Sequence, residues 1–122
     1  VVRVYALATV RTGGEVGPWR AKSDTERKLN LEHAERLLGG LAAPKDATPA
    51  AKGEHCEALA RTKPAEAKKA LEALAAKDLV PSAHAWAALA RLRGAAGEAK
   101  GKEAALAKCK GMAGKQAASV CV

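Results

Sequence analysis

His55 and Cys56 stand side by side, and an imidazole beside a thiol is the pairing from which a cysteine nucleophile or a metal site is built. Adjacent positions on a helix point roughly 100° apart, which is poor for joint ligation. No second Cys or His lies at ligand spacing, and no Cys-x-x-Cys occurs. His33 is isolated between Glu32 and Ala34, and Glu98 and Glu103 lack a catalytic partner. The glycine-rich run GGEVG has no Gly-Lys-Ser/Thr ending to cradle a phosphate. These residues predict no enzyme, no metal, no cofactor and no small-molecule substrate.

The cysteines are Cys56, Cys109 and Cys121. An odd number at wide spacing does not form a disulfide framework. Cys56 and Cys109 fall on apolar helix stripes, where a thiol behaves as a small hydrophobe. Free thiols in a reducing compartment are the simpler expectation, with a Cys109–Cys121 bridge as the alternative.

Charge is the stronger signal. The 122 residues carry 21 Lys+Arg against 13 Asp+Glu, a formal net charge of +8. The excess steepens toward the end, where Arg91, Arg93, Lys100, Lys102, Lys108, Lys110 and Lys115 face only Glu98 and Glu103. Such an excess favours an anionic partner, nucleic acid first, over a surface that is merely solvated. No apolar run reaches the eighteen residues of a membrane span, so no membrane partner is expected. The apolar opening VVRVYALATV carries Arg3 and lacks a basic leader, so it does not read as a signal peptide.

Helices must position these cations. Residues 1–12 have strand-like β-branched content, but Val4, Leu7, Ala8 and Arg11 fit a helical face. Residues 13–22, GGEVGPWRAK, break the chain into a loop in which Trp19 caps the core or meets a neighbour. Ser23-x-x-Glu26 has capping-box form ahead of a helix to about Leu41. Thr48 is an N-cap with Pro49 at the first helical position, and that helix runs to Arg61 with Cys56, Leu59 and Ala60 inward. Further helices are predicted over Pro64–Lys77, Ala83–Arg93 and Gly97–Lys110. The apolar triplet Ala67/Leu71/Leu74 has counterparts at Ala34/Leu38/Leu41 and Lys102/Leu106/Cys109, at offsets of 33 and 35 residues. A period in that range marks a stacked helical array.

The run LEALAAKDLVPSAHAWAALARL, from Leu71 to Leu92, resembles a pentatricopeptide repeat junction. Leu74, Asp78, Pro81 and Trp86 stand at that family's Met, Gly, Pro and aromatic places. LEHAERLLGGL looks like another second helix, and VRVYALATVRTG like another first helix with Tyr5 as its aromatic. Two departures stand out: extra sequence between Gly13 and Leu31, and no aromatic around Ala51–Leu59. The rival is the tetratricopeptide repeat, against which Lys102 falls where a small residue belongs.

The resemblance implies an all-α fold, an α-solenoid of about three antiparallel helical hairpins in a right-handed superhelix. It divides the single domain into 1–41 with an inserted loop at 13–30, 48–80, 81–111, and 112–122 as a further unit or tail. It also implies first helices lining a concave face along which RNA lies. The base-reading places hold Ala6, Ala87 and Ser82, and alanine offers no hydrogen bond to a base. His84 and Arg3 fall at the stacking place, and Arg11, Arg61, Arg91 and Arg93 near helix ends where phosphate contact or the helix dipole would suit them. The expected RNA-binding set is therefore Arg3, Arg11, Arg61, Ser82, His84, Arg91 and Arg93. The expected role is a non-catalytic part of an organellar ribonucleoprotein such as a mitochondrial ribosome, contacting RNA backbone and other proteins of the assembly. The alternatives are a chloroplast or cytoplasmic setting, and a protein-only scaffold of tetratricopeptide type.

Overall fold

The computed structural model describes residues 2–15, 17 and 19–122. Val1, Val16 and Pro18 lie outside the described residues, and with them the Gly-Pro break of the 13–22 loop. Every regular element among the described residues is helical. The elements are α1 (Val2–Thr12), α2 (Asp24–Ala42), α3 (Pro49–Thr62), α4 (Pro64–Ala76), α5 (Ala83–Ala95), α6 (Ala99–Ala113), a 3₁₀ turn at Gly114–Gln116 and the short α7 (Ala117–Val120). Residues 2–12 thus take the helical option, because α2 and α3 cover the Ala6/Val10 face rather than alternate sides of a strand.

Helix starts follow local chemistry. The hydroxyls of Ser23, Thr48 and Ser82 each accept the amide N–H three residues on, from Glu26, Ala51 and Ala85, all at 3.1 Å. Each thereby satisfies one of the amides that a helix start leaves without a partner. Pro49 and Pro64 occupy first-turn places that need no N–H donor. Helix stops are equally local. At the end of α4 the amide of Leu79 reaches the Leu74 carbonyl at 2.9 Å, and that of Asp78 the Ala75 carbonyl at 3.0 Å. This is the Schellman arrangement, which requires a left-handed residue at Asp78, and its φ is 54°. The same pair of bonds recurs at Gly97, where φ is 78°.

The helices pack on their neighbours in sequence. The pairs α1–α2, α3–α4 and α5–α6 lie against each other, α2 also covers α3, and α4 covers α5. The first helix of each pair touches the next, α1 on α3 and α3 on α5. Small residues let them approach closely. A Cβ on Gly53 of α3 would sit 2.2 Å from Cγ of Pro81, so the loop entering α5 rests directly on the α3 backbone. Two apolar clusters result. One gathers Ala6, Val10, Ala34, Leu38 and Ala58, with Trp19 packed against it. The other gathers Cys56, Leu71, Val80, the buried face of α5 including Trp86 and Leu89, Ala105, Cys109 and Cys121.

Several expectations are corrected here. Ala34/Leu38 and Ala67/Leu71 are buried as the period predicts, but Leu41 is 49% exposed. In α6 the buried pair is Ala105/Cys109, and Lys102 lies in solvent. The register there is shifted by three residues, because a lysine ammonium stays hydrated while an alanine and a cysteine one turn apart give a small surface against α5. Tyr5 is not the equivalent of Trp86. It is 38% exposed and meets Trp19 edge-on with ring centroids 6.3 Å apart. Trp86 is buried because α5 has neighbours in α3, α4 and α6, whereas α1 has only α2 and α3. His33 is not isolated, its ring lying 5.3 Å from that of Trp19. Cys109 and Cys121 form a disulfide, leaving Cys56 as the free thiol. The turn at 114–116 folds the chain back and brings together two cysteines that spacing along the sequence kept apart.

Two substitutions test these backbone constraints. Gly53→Ala is expected to destabilise the fold by about 1–2 kcal/mol in urea denaturation, since the rigid Pro81 ring must move and only part of the loss is offset by helix propensity. Asp78→Gly is expected to stabilise it by about 0.5–1 kcal/mol, since glycine enters the left-handed region without a Cβ penalty.

Candidate functional site

The faces of α1, α3 and α5 enclose a groove of about 500 Å³. Arg11, Glu57, Arg61, His84 and Arg91 line it, together with Ala60, Pro64, Ala88 and Leu92. Ser119, Val120 and Val122 supply a further wall. Four of the seven cationic or polar residues expected from sequence are thus brought together.

Their partners differ. Glu57 on α3 is only 5% exposed, and Arg11 on α1 meets it through two hydrogen bonds, Nε to Oε1 at 2.9 Å and Nη2 to Oε2 at 3.2 Å. Burial pushes the Glu57 carboxyl above the ordinary glutamate range, and Arg11 pulls it back down. Arg61 is spent partly on structure. Its Nε donates to the Val10 carbonyl at 2.9 Å and its Nη2 to the Arg11 carbonyl at 3.3 Å, which covers the end of α1. Arg91 makes no ion pair among the described residues. Loss of water in the groove and repulsion from Arg61 both lower its pKa, and Glu57 compensates only in part. His84 is held below the ordinary histidine value by burial first, then by Arg11 and Arg91. The groove is therefore a place where positive charge is crowded and partly dehydrated, and an anion entering it would relieve both penalties.

The other three expected residues go elsewhere. Arg3 pairs through both its Nε and Nη2 with Glu54, a carboxylate that is 7% exposed. Arg93 pairs with Glu72, Nε to Oε2 at 3.0 Å, and donates to the Gly101 carbonyl at 3.0 Å, which ties α4, α5 and α6. That pairing raises the Arg93 pKa and lowers that of Glu72. Ser82 is the N-cap of α5. Ala6 and Ala87, at the base-reading places, are buried. Glu54 and Glu57 were missed by sequence reasoning. Their only signal is three-residue spacing on the apolar side of α3, which a reader of α3 alone takes for solvated charge.

Among the described residues, no group of three His, Cys, Asp or Glu is placed to hold a metal ion. Cys56 is buried, and burial followed by Glu57 pushes its thiol up to about 11, so it is a poor nucleophile. His55 turns away to Glu35, 3.7 Å distant, in the crevice against Gly39. A larger depression of about 630 Å³ runs along α2 to the end of α3. Charges of both signs line it, and Arg27 with Asp24 at 2.6 Å and Lys63 with Glu35 at 3.9 Å pair there.

No protein-family model, no curated protein and no solved structure matches the chain. Among the described residues the protein is an all-helical chain of paired helices.

The groove's dependence on Glu57 is testable. Arg11→Ala leaves a buried carboxylate unpaired and is expected to cost about 2–3 kcal/mol near pH 7. Glu57 is a group whose folded-state pKa is raised, so its neutral form favours the fold. The stability gap between variant and parent should be small at about pH 4 and open as pH rises through the raised folded value. Urea melts at the two pH values measure it.

Proposed function

We propose that the three helical pairs stack as an α-solenoid and that the groove of α1, α3 and α5 holds the phosphate backbone of single-stranded RNA without catalysing a reaction. The observation that carries this reading is Arg91, crowded against Arg61 and short of compensating charge in a groove shared with His84. A phosphate would replace the missing counter-charge and accept hydrogen bonds from the guanidinium fork. Neighbour-on-neighbour packing of first helices supports the solenoid. The pentatricopeptide-like junction at Leu71–Leu92 supplies the kind of partner and the setting, a structural part of a ribonucleoprotein such as the mitochondrial ribosome. Buried Ala6 and Ala87 favour recognition by charge and shape over base reading.

Filter binding to an unstructured RNA at about 50 and 200 mM salt tests it. If three phosphates are neutralised, affinity should fall roughly 20-fold over that range, and Arg91→Gln should lower the slope of log affinity on log salt by about 0.7. No measurable affinity at low salt would refute the reading. Capture of a protein helix with little salt dependence would support the tetratricopeptide-like scaffold instead, for which the apolar lining of Ala88, Leu92, Val120 and Val122 speaks.

A further inference from the structure

We propose that the Cys109–Cys121 disulfide is a redox clasp that holds segment 114–122 as a wall of the cationic groove, and that its reduction opens the groove to an extended anionic strand. The proposal rests on the groove being the binding site, and it deepens that reading by adding regulation. Three independent features of the structure meet here.

The bond joins the middle of α6 to the residue just after α7. Between them lie the end of α6, a three-residue 3₁₀ turn and a four-residue helix. Helices this short do not persist without tertiary support, because nucleation costs more than so few hydrogen bonds return. The support is Cys121 itself, buried in the larger apolar cluster, with Ala117 and Val120 packed on its margin. Apart from this apolar packing on α5 and α6, its side-chain hydrogen bond stays within the segment, the Ser119 hydroxyl donating to the Gln116 carbonyl at 3.0 Å.

The segment also occupies the groove's edge. Ser119, Val120 and Val122 line it opposite Arg11, His84 and Arg91. Val122 borders a second depression on the far side of Arg91, beside Gly94 and Lys102. Arg91, Ala95 and Val122 line both cavities, so lifting the segment would join them into one longer channel lined by Arg11, Arg61, Arg91 and Lys102. A longer channel would offer an extended polyanion more phosphate contacts than the groove edged by the two valines.

The chemistry is ordinary thiol–disulfide exchange with a dithiol reductant. A thiolate of the reductant attacks the sulfur of Cys121, the less buried partner, and Cys109 leaves as a thiolate and takes up a proton. The second reductant thiol then displaces Cys121, which is likewise protonated. The chain gains two electrons and two protons, and the reductant leaves as its own disulfide. Cys56 does not compete, being buried with its thiol pushed up to about 11.

The test uses the full chain oxidised, the same chain in dithiothreitol, and Cys121→Ser. Amide hydrogen exchange over 114–122 should speed at least tenfold in the last two. The His84 ring protons, followed by NMR, should titrate closer to an ordinary histidine once the tail no longer shields the groove. Affinity for a labelled single-stranded RNA should rise about five- to tenfold on reduction, and dithiothreitol should change nothing further in Cys121→Ser. Unchanged exchange would overturn the clasp. Faster exchange with His84 and affinity unmoved, or with affinity lowered, would overturn the gating. If RNA binds in no state, the proposed function fails, and exchange together with His84 still decides whether the clasp opens the groove.

Discussion

Two carboxylates buried on one helix fix the geometry of the rest. Glu54 and Glu57 sit one turn apart on α3, and both would be costly in the interior without a partner. The partners come from α1, Arg3 to one and Arg11 to the other. With both pairs made, α1 cannot slide or rotate on α3. Arg61 then ties the end of α1 to the end of α3 through the carbonyls of Val10 and Arg11. The groove is what remains between these helices and α5. Its positive charge exists because Glu57 is already committed to Arg11, leaving too little negative charge for Arg91.

What the sequence could disclose and what it could not divides along range. Ser23 and Thr48 were legible as caps because an N-cap is recognised by its own side chain and the three residues that follow, whereas Ser82, also an N-cap, was expected to face RNA. Asp78 is left-handed, as the Schellman ending of α4 requires, and its residue type did not announce that conformation. The Ala34/Leu38 and Ala67/Leu71 stripes were legible from the helical period. In α6 the same argument chose Lys102 and Leu106, because it extended a spacing and did not weigh which side chain would tolerate burial. The ion pairs were out of reach. Arg3 and Glu54 lie 51 residues apart, and each alone resembles solvated charge. Cys109 and Cys121 were set aside on number and spacing, since the turn that unites them has no strong composition signal.

The candidate site was legible in kind but not in membership. Arginines at helix ends satisfy the dipole, a neighbouring carboxylate, an exposed carbonyl or a ligand, and sequence does not separate these uses. The structure sends Arg3 and Arg93 to carboxylates, Arg61 partly to carbonyls, and leaves Arg91 with the least compensation. His84 joins them because it lies on the same side of α5 as Arg91, two turns earlier.

The chain's poverty in aromatic residues gives it an unplanned convenience. Its two indoles fall in different apolar clusters, Trp19 against the one shared by α1, α2 and α3, and Trp86 inside the one built around α5. Trp19 is partly buried beside an imidazole, whereas Trp86 is enclosed by aliphatic groups. Their emission should differ in colour and in response to acid. Loosening of either end of the molecule can therefore be watched by its own intrinsic fluorophore, without attaching a dye.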